Sequence, residues 1–328
     1  MSSTPTLVAD IGGTNARFAL ARHIDGRLVL SDIRVLAVEG HPTISSAAQD
    51  FLGSVNDAQD IERAVFAVAS AVGTDAIKLT NSPWSFSVRQ LQADLGMPGL
   101  RIVNDFAALS MALPHLADAD LEVIGPVSVA EARNAMIRSY ATIGPGTGLG
   151  VGGLHINAHG PVVIESEGGH VGFAPNNDFE LAILKHLLGK YERVSNERLI
   201  SGAGLVNLYQ AVCAIEGVRA DHADPQHIVA EADAIAEGTA DRTVQTFCAL
   251  LGSVAGDVAM TLGAWDGVYI GGGIALKLSV RLQRSAFRAR FEAKGRHAPL
   301  MQRIPTWNIR HPAVGLLGAA AYAAAPEA

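Results

Sequence analysis

Cysteine is scarce in this chain. Cys213 and Cys248 are its only two, and their separation fits neither a zinc cluster nor a Cys-x-x-Cys redox pair. They read as two buried thiols of a reducing compartment. Positive charge is short as well. Twenty-five Lys and Arg against 32 Asp and Glu leave a net charge of −7, which argues against the basic face of a general nucleic-acid binder. A small anion can still be held by backbone donors and local cations. The N-terminus lacks a basic start followed by a secretory apolar run. The apolar stretch 315–325 is too short to span a bilayer and reads as a packed helix. No short-period repeat is visible. No glycine run leads into Gly-Lys-Ser/Thr, and none sits in the strand, Gly-x-Gly-x-x-Gly, helix order of a dinucleotide site. These absences predict a soluble cytoplasmic protein with no nucleic-acid or membrane partner.

What is abundant is glycine. The 34 glycines gather in discrete clusters, as expected where backbone must turn sharply or approach a ligand. With 328 residues, 49% apolar and 17% charged, the chain is globular and long enough for two domains. Residues 6–11, 15–21 and 27–36 read as strands, with a turn at Asp25-Gly26. A helix is expected over 43–58, strands over 62–70, 76–80 and 100–103, and a helix over 88–95 capped by Ser87. Further strands fall at 135–143, 149–156, 161–165, 267–270 and 305–310. A mostly helical block lies between them, over 178–262. Strand, glycine turn and strand occur at 7–20 and again at 139–156, a crude two-fold echo that suggests two related α/β domains across a cleft.

The first glycine turn follows Asp10 at the end of a strand. A carboxylate repels phosphate, but it can hold Mg2+ through water or directly. Gly12 and Gly13 permit close backbone approach, and Thr14 adds a hydroxyl. A tight hairpin with a solvated Asp would use the same residues. The segment 144–153 holds six glycines around Thr147, and its turn amides suit an anion nest. Gly271-Gly272-Gly273 after a strand could receive the nucleoside or the α-phosphate. Ser201, before Gly202, serves equally as a helix cap.

Asn104-Asp105 stands between a strand and a helix, a common ligand position in α/β folds. Asp105 can take a hydroxyl proton and orient its oxygen toward a γ-phosphorus. Asn104 can donate to one hydroxyl and accept from another. A helix N-cap would place similar residues here. Glu167 and His170 flank two glycines and could converge after a turn on adjacent sugar hydroxyls, with no third ligand for a metal. Glu197 lies in a short polar segment that matters only if it reaches back to Glu167. Trp84, in a loop with Asn81, reads as packing, and Asp266 beside Gly267 as a turn residue.

Taken in order, Val8-Ala9-Asp10-Ile11-Gly12-Gly13-Thr14-Asn15-Ala16-Arg17, Asn104-Asp105-Phe106, Gly144-Pro145-Gly146-Thr147-Gly148-Leu149-Gly150, Glu167-Gly168-Gly169-His170-Val171, Asn196-Glu197-Arg198-Leu199-Ile200-Ser201-Gly202 and Gly271-Gly272-Gly273-Ile274 cover nearly the whole chain. Together they closely resemble the bacterial glucokinase family. The resemblance implies a two-domain, ribonuclease-H-like α/β fold of the actin and hexokinase type, with an interdomain cleft. It implies a small domain of 1–110 completed by a terminal helix at about 312–328, and a large domain of 111–311. It implies transfer of the γ-phosphoryl group of MgATP to the 6-hydroxyl of D-glucose. Glucose would be held by Asn104, Asp105, Glu167, His170 and Glu197, with Asp105 as base. ATP would lie along Ala9, Asp10, Ile11, Gly12, Gly13 and Thr14 and along Gly146, Thr147 and Gly148, aided by Gly272. Mg2+ would sit at Asp10. A homodimer is implied as well.

The cysteine-rich zinc segment of the broader repressor and sugar-kinase group is absent, so the resemblance is to the zinc-free branch, and no zinc is expected. No N-terminal extension that could house a helix-turn-helix precedes the first motif, which disfavours a transcriptional regulator. Glu165-Ser166 stands where the family often has a Pro-Gly-like lead-in, a departure that bears on loop shape but retains Glu167 and His170. The competing readings are a kinase for another hexose or an N-acetylhexosamine, and a non-catalytic sugar sensor on the same fold.

Overall fold

A computed structural model describes residues 4–56, 61–70, 72–79, 82–128 and 137–325. Asn81 lies outside them, as do residues 326–328. The chain divides into two compact units, Met1–Asp120 with His311–Ala328, and Leu121–Arg310.

The first unit opens with the antiparallel strands β1 (Thr6–Ile11), β2 (Asn15–Ile24) and β3 (Arg27–Ala37). The β2–β3 turn falls at Asp25 and Gly26, as expected, with φ of 50° and 79°. Two successive left-handed residues match the twist of a hairpin, which explains the Asp-Gly pair. Next come α1 (Ile44–Leu52), β4 (Arg63–Val68), the short pair β5 (Ala76–Lys78) and β6 (Ser85–Ser87), α2 (Val88–Leu95), β7 (Gly99–Asn104) and α3 (Asp105–Ala112). Ser87 caps α2, accepting from the Gln90 amide, and Gly96 closes it at φ 65°. The five-stranded sheet has the order β3-β2-β1-β4-β7, with β4 and β7 parallel to β1.

Strand β1 is buried on both faces, and its alternation sorts the core. Leu7, Ala9 and Ile11 pack with Phe18, Phe51, Phe66 and Leu91. Val8 points to the other face with Val65, Val103 and Ala108. The Phe18 ring stacks on Phe51 at 5.6 Å and meets Phe66 edge-on at 5.8 Å.

The second unit contains β8 (Leu121–Val123), β9 (Arg138–Pro145), β10 (Leu149–Asn157), β11 (Gly160–Ser166), α4 (Asp178–Leu188), α5 (Gly202–Glu216), α6 (Pro225–Ala234), α7 (Thr239–Leu262), β12 (Gly267–Ile270), α8 (Gly273–Lys277), α9 (Ser279–Arg284), α10 (Phe287–Glu292), α11 (Ala298–Met301) and β13 (Thr306–Ile309). Its six strands run β11-β10-β9-β12-β13-β8. By length and composition α7 could cross a membrane, but it is mostly buried, and Val244, Phe247, Leu251 and Ala255 lie in the core of this unit. Cys213 and Cys248 are buried and unbonded to each other. Burial pushes the Cys248 thiol up to about 12, so it is inert at neutral pH.

The chain then returns to the first unit as α12 (Val314–Ala324). Leu316, Ala319 and Ala320 cover the Val8 face of the sheet. Gly318 leaves no room for a methyl group against the Ala108 carbonyl, so α12 and α3 touch backbone to backbone.

Local limits differ from expectation in two places. The helix expected over 43–58 ends at Leu52, closed by Gly53, and residues 57 and 58 lie outside the described residues. Where a single helix is expected to follow the Gly271-Gly272-Gly273 turn, four short ones stand, the first beginning at Gly273 itself. Gly150, Gly152 and Gly153 belong to β10, the strand expected over 149–156, so the glycine turn itself is only 146–148. At Gly153 an added Cβ would lie 3.0 Å from both Leu262 and the Tyr140 carbonyl, so this glycine serves packing.

Candidate active site

Because Asp10 follows Val8 with a spacing of two, it shares the Val8 face, the one covered by α12. An added Cβ on Gly315 would lie 2.7 Å from the Asp10 Cγ, so α12 can start beside this carboxylate only with glycine there. Arg17 is its register partner on β2, and the guanidinium Nη1 stands 3.2 Å from Oδ2. Burial pushes the Asp10 carboxyl above its ordinary range, and the Arg17 charge and hydrogen bond pull it back in part. The turn beyond is closed by the Gly12 amide donating to the Asn15 carbonyl at 3.0 Å. Thr14 is exposed, whereas the side chains of Ala9 and Ile11 are in the core, leaving only their main chain for a ligand.

Among the described residues no group of three or more His, Cys, Asp or Glu could hold a metal. A lone carboxylate does suit Mg2+, which keeps its waters and is often bound by one carboxylate together with nucleotide phosphates.

In the second unit the turn 146–148 joins β9 to β10. The Gly146 amide donates to the Gly148 carbonyl at 2.8 Å, and the Gly202 amide to the Gly146 carbonyl at 2.9 Å. Ser201 is the N-cap of α5, accepting from the Gly204 amide at 2.9 Å. The turn after β12 closes on the same place. Gly272 has φ 88°, and an added Cβ would lie 2.5 Å from the Pro145 carbonyl oxygen. Both requirements exclude any other residue. Thr147 is exposed at the tip.

Asn104 ends β7 and caps α3. Its Oδ1 accepts from the Phe106 and Ala107 amides at 2.9 and 3.1 Å, and its Nδ2 donates to the Ser70 carbonyl at 3.2 Å. The carboxamide oxygen is thus occupied, and what Asn104 offers a ligand is its second amide hydrogen. The cap role weighed for Asp105 falls to Asn104. Asp105 is the first residue of α3, half-buried, with Oδ1 accepting from the Phe106 amide at 3.0 Å. Its charge at a helix start is favoured by the dipole.

Glu167 and His170 do converge. A single 3-10 turn, Gly168–His170, folds between them. Gly169 fits against the Leu149 carbonyl with no room for a side chain, and Ser166 shapes the turn by accepting from the Gly168 amide at 2.9 Å. The segment with Glu197 reaches back, because the Asn196 amide donates to the Val171 carbonyl at 2.9 Å and the Phe173 amide to that of Val194 at 3.0 Å. The imidazole of His170 then lies between two carboxylates. Nε2 is 3.9 Å from Glu167 Oε2, and Nδ1 is 3.9 Å from Glu197 Oε1, both beyond hydrogen-bond length. Three polar groups that take and give hydrogen bonds are held apart on one surface, an arrangement suited to neighbouring hydroxyls.

Trp84 is buried and its indole donates to the His41 carbonyl at 3.0 Å, so it packs as expected. Asp266 is a turn residue, accepting from the Ser139 amide at 2.7 Å. Sequence reasoning missed Gly315 and the role of Arg17. The hairpin register could have indicated Arg17, but nothing local marks Gly315.

The family model described as Glucokinase matches residues 7–326. A glucokinase of Stenotrophomonas maltophilia (strain K279a) is 46% identical, over 99% of this chain and 97% of its own length. One of Xanthomonas campestris pv. campestris (strain 8004) is 45% identical, over 99% of this chain and 96% of its own. The crystal structure of a glucokinase from an Antarctic psychrotroph superposes with a TM-score of 0.87 at 35% identity, covering 98% of both chains. The α/β fold class of the actin-like ATPases and sugar kinases is thereby borne out. Matched from strand β1 through helix α12, the chain belongs to the glucokinase family.

Proposed function

We propose that the chain transfers the γ-phosphoryl group of ATP to the 6-hydroxyl of D-glucose, giving glucose 6-phosphate and ADP. Membership of the glucokinase family makes it a glucose kinase; the donor, the position phosphorylated and the residue roles are the finer reading. The observation that carries the acceptor side is the spacing of Glu167, His170 and Glu197, with the imidazole 3.9 Å from each carboxylate. In this reading glucose hydroxyls are bound by these three and by Asn104 and Asp105. Asp105 takes the proton of the 6-hydroxyl as its oxygen attacks the γ-phosphorus and ADP leaves. Its position in the first turn of α3 places the carboxylate where the helix dipole favours negative charge and orients it for that task. The remaining Asn104 amide hydrogen directs a hydroxyl.

The phosphates lie on main-chain amides of 9–14 and 146–148 with the Gly272 turn, and on the hydroxyls of Thr14 and Thr147. Asp10 would hold Mg2+ through its waters, and that ion supplies charge neutralisation on the phosphates when bound. Division into a small domain (1–110 with 312–328) and a large one (111–311) is supported by contact units that part at Asp120 and at His311. A cytoplasmic homodimer completes the reading.

The test is ADP release by the purified chain with a panel of hexoses and N-acetylhexosamines, with direct detection of the phosphorylated sugar. Glucose-dependent ADP with glucose 6-phosphate is expected. Faster turnover on another sugar, or glucose binding without ADP, would overturn the reading.

A further inference from the structure

Glu197 uses its two carboxylate oxygens differently. Oε2 accepts from the Leu149 amide at 2.9 Å, immediately after the turn 146–148. It also fills the space where a side chain at Gly148 would start, since an added Cβ would lie 2.5 Å away. Oε1 faces His170 Nδ1 at 3.9 Å. The carboxylate is the most enclosed of the three sugar-side groups, 28% exposed against 70% for Glu167 and 58% for His170. Two further ties run along the same path. Ser201 Oγ donates to the Glu197 carbonyl at 2.8 Å, and the next residue, Gly202, donates to Gly146 at 2.9 Å. On the other side of the same peptide strand, the Leu149 carbonyl is the surface on which Gly169 rests.

From this geometry we infer that Glu197 is a positioning residue that couples sugar occupancy to the phosphate turn: a hydroxyl bound at Oε1 fixes the carboxylate that orients the Leu149 amide and the backbone of Gly148. This rests on the reading of 146–148 as a phosphate turn and of His170 and Glu197 as sugar-side groups. Coupling of this kind is reciprocal, so nucleotide on the turn strengthens sugar binding by the same factor.

The test separates the KM for ATP from the KM for glucose. Glu197→Ala removes a hydrogen bond to a charged group and is expected to raise both, each by roughly tenfold. Glu167→Ala, which faces His170 from the far side, is expected to raise the KM for glucose alone. Glu197→Gln keeps an acceptor for Leu149 and is expected to spare the KM for ATP while weakening glucose. Gly148→Ala pushes aside the oxygen that accepts from Leu149 and is expected to raise the KM for ATP as well as that for glucose. In the Glu197→Ala background the methyl has room, so that effect should vanish.

A KM for ATP unchanged in Glu197→Ala while that for glucose rises would overturn the coupling and leave Glu197 a sugar ligand only. Additive effects of Gly148→Ala and Glu197→Ala would overturn it too. Should Glu197→Ala fail to fold, the contrast between Glu197→Gln and Gly148→Ala decides alone. Wild-type protein that makes no glucose-dependent ADP would instead sink the functional reading beneath it, before any variant is compared.

Discussion

The two units contain sheets wired alike and charged differently. In the first, the antiparallel run β3-β2-β1 is followed by β4 and β7, parallel to β1. In the second, β11-β10-β9 is followed by β12 and β13, parallel to β9, with β8 added at the edge. Each sheet turns between its first two strands of the meander on glycines and one threonine, at 12–14 and at 146–148. The penultimate residue of β1 is Asp10, opposite Arg17; that of β9 is Gly144, opposite Gly150. One hairpin carries its own ion pair. The other presents bare backbone and receives a carboxylate, Glu197, from a segment far along the chain. A repeated scaffold thus supplies two backbone turns, one beside a carboxylate of its own hairpin and one that takes a carboxylate from elsewhere in the chain.

If charge in the first unit serves turnover and charge in the second serves binding, variants should divide accordingly. The largest effect is expected for Asp105→Ala, with kcat lowered by about 10²–10⁴-fold, the usual contribution of a general base, and an unchanged circular-dichroism spectrum. Near-normal turnover would remove Asp105 as base and break the contrast. Gly318→Ala sets a methyl against the Ala108 carbonyl and should cost about 1–3 kcal/mol as an overpacked contact, lowering Tm by several degrees. Because α3 begins at Asp105, kcat should fall with it more than the KM for glucose.

Two carboxylates of the first unit give smaller, opposite responses to pH. Burial raises the folded pKa of Asp10, so the folded chain holds this proton more firmly than the unfolded one. The associated stability is fully present below the unfolded pKa and is lost as pH rises through the folded value. The stability of wild type relative to Asp10→Asn should therefore decline with rising pH across the acid range, in chemical denaturation at a series of pH values. Arg17→Ala should raise that pKa further and move the acid limb of kcat/KM to higher pH. Asp75 is the reverse case. The Arg89 amide at 3.0 Å and the Ser87 hydroxyl at 2.7 Å hold its carboxyl below the ordinary range. Its contribution is present above the unfolded pKa and lost as pH falls toward the folded value, so the gap between wild type and Asp75→Asn should narrow on acidification.

Much of the fold was legible locally. The hairpin at Asp25-Gly26, the Ser87 cap and the strand ends before each glycine turn follow from backbone chemistry that acts within a few residues. Of the four helices from Gly273 onward only the first was legible, from the strand and glycine turn before it; the others are short and take their stability from packing rather than period. Counting glycines over 144–153 overstated the loop. In a strand glycine also serves close packing, and only its neighbours tell which role it has.

The candidate site divides in the same way. The sequence by itself determined residue types and order: Asp10 before a glycine turn, Asn104-Asp105 at a strand end, Glu167 and His170 around two glycines, Glu197 further on. It could do so because each depends on a local turn or cap. Tertiary structure alone decided that the Asn104 amide nitrogen reaches the Ser70 carbonyl, that α12 returns to set Gly315 beside Asp10, and that Glu197 reaches Leu149 and His170 together. Those facts join residues far apart in the chain, and their geometry is set by packing and register, which no short stretch of sequence encodes.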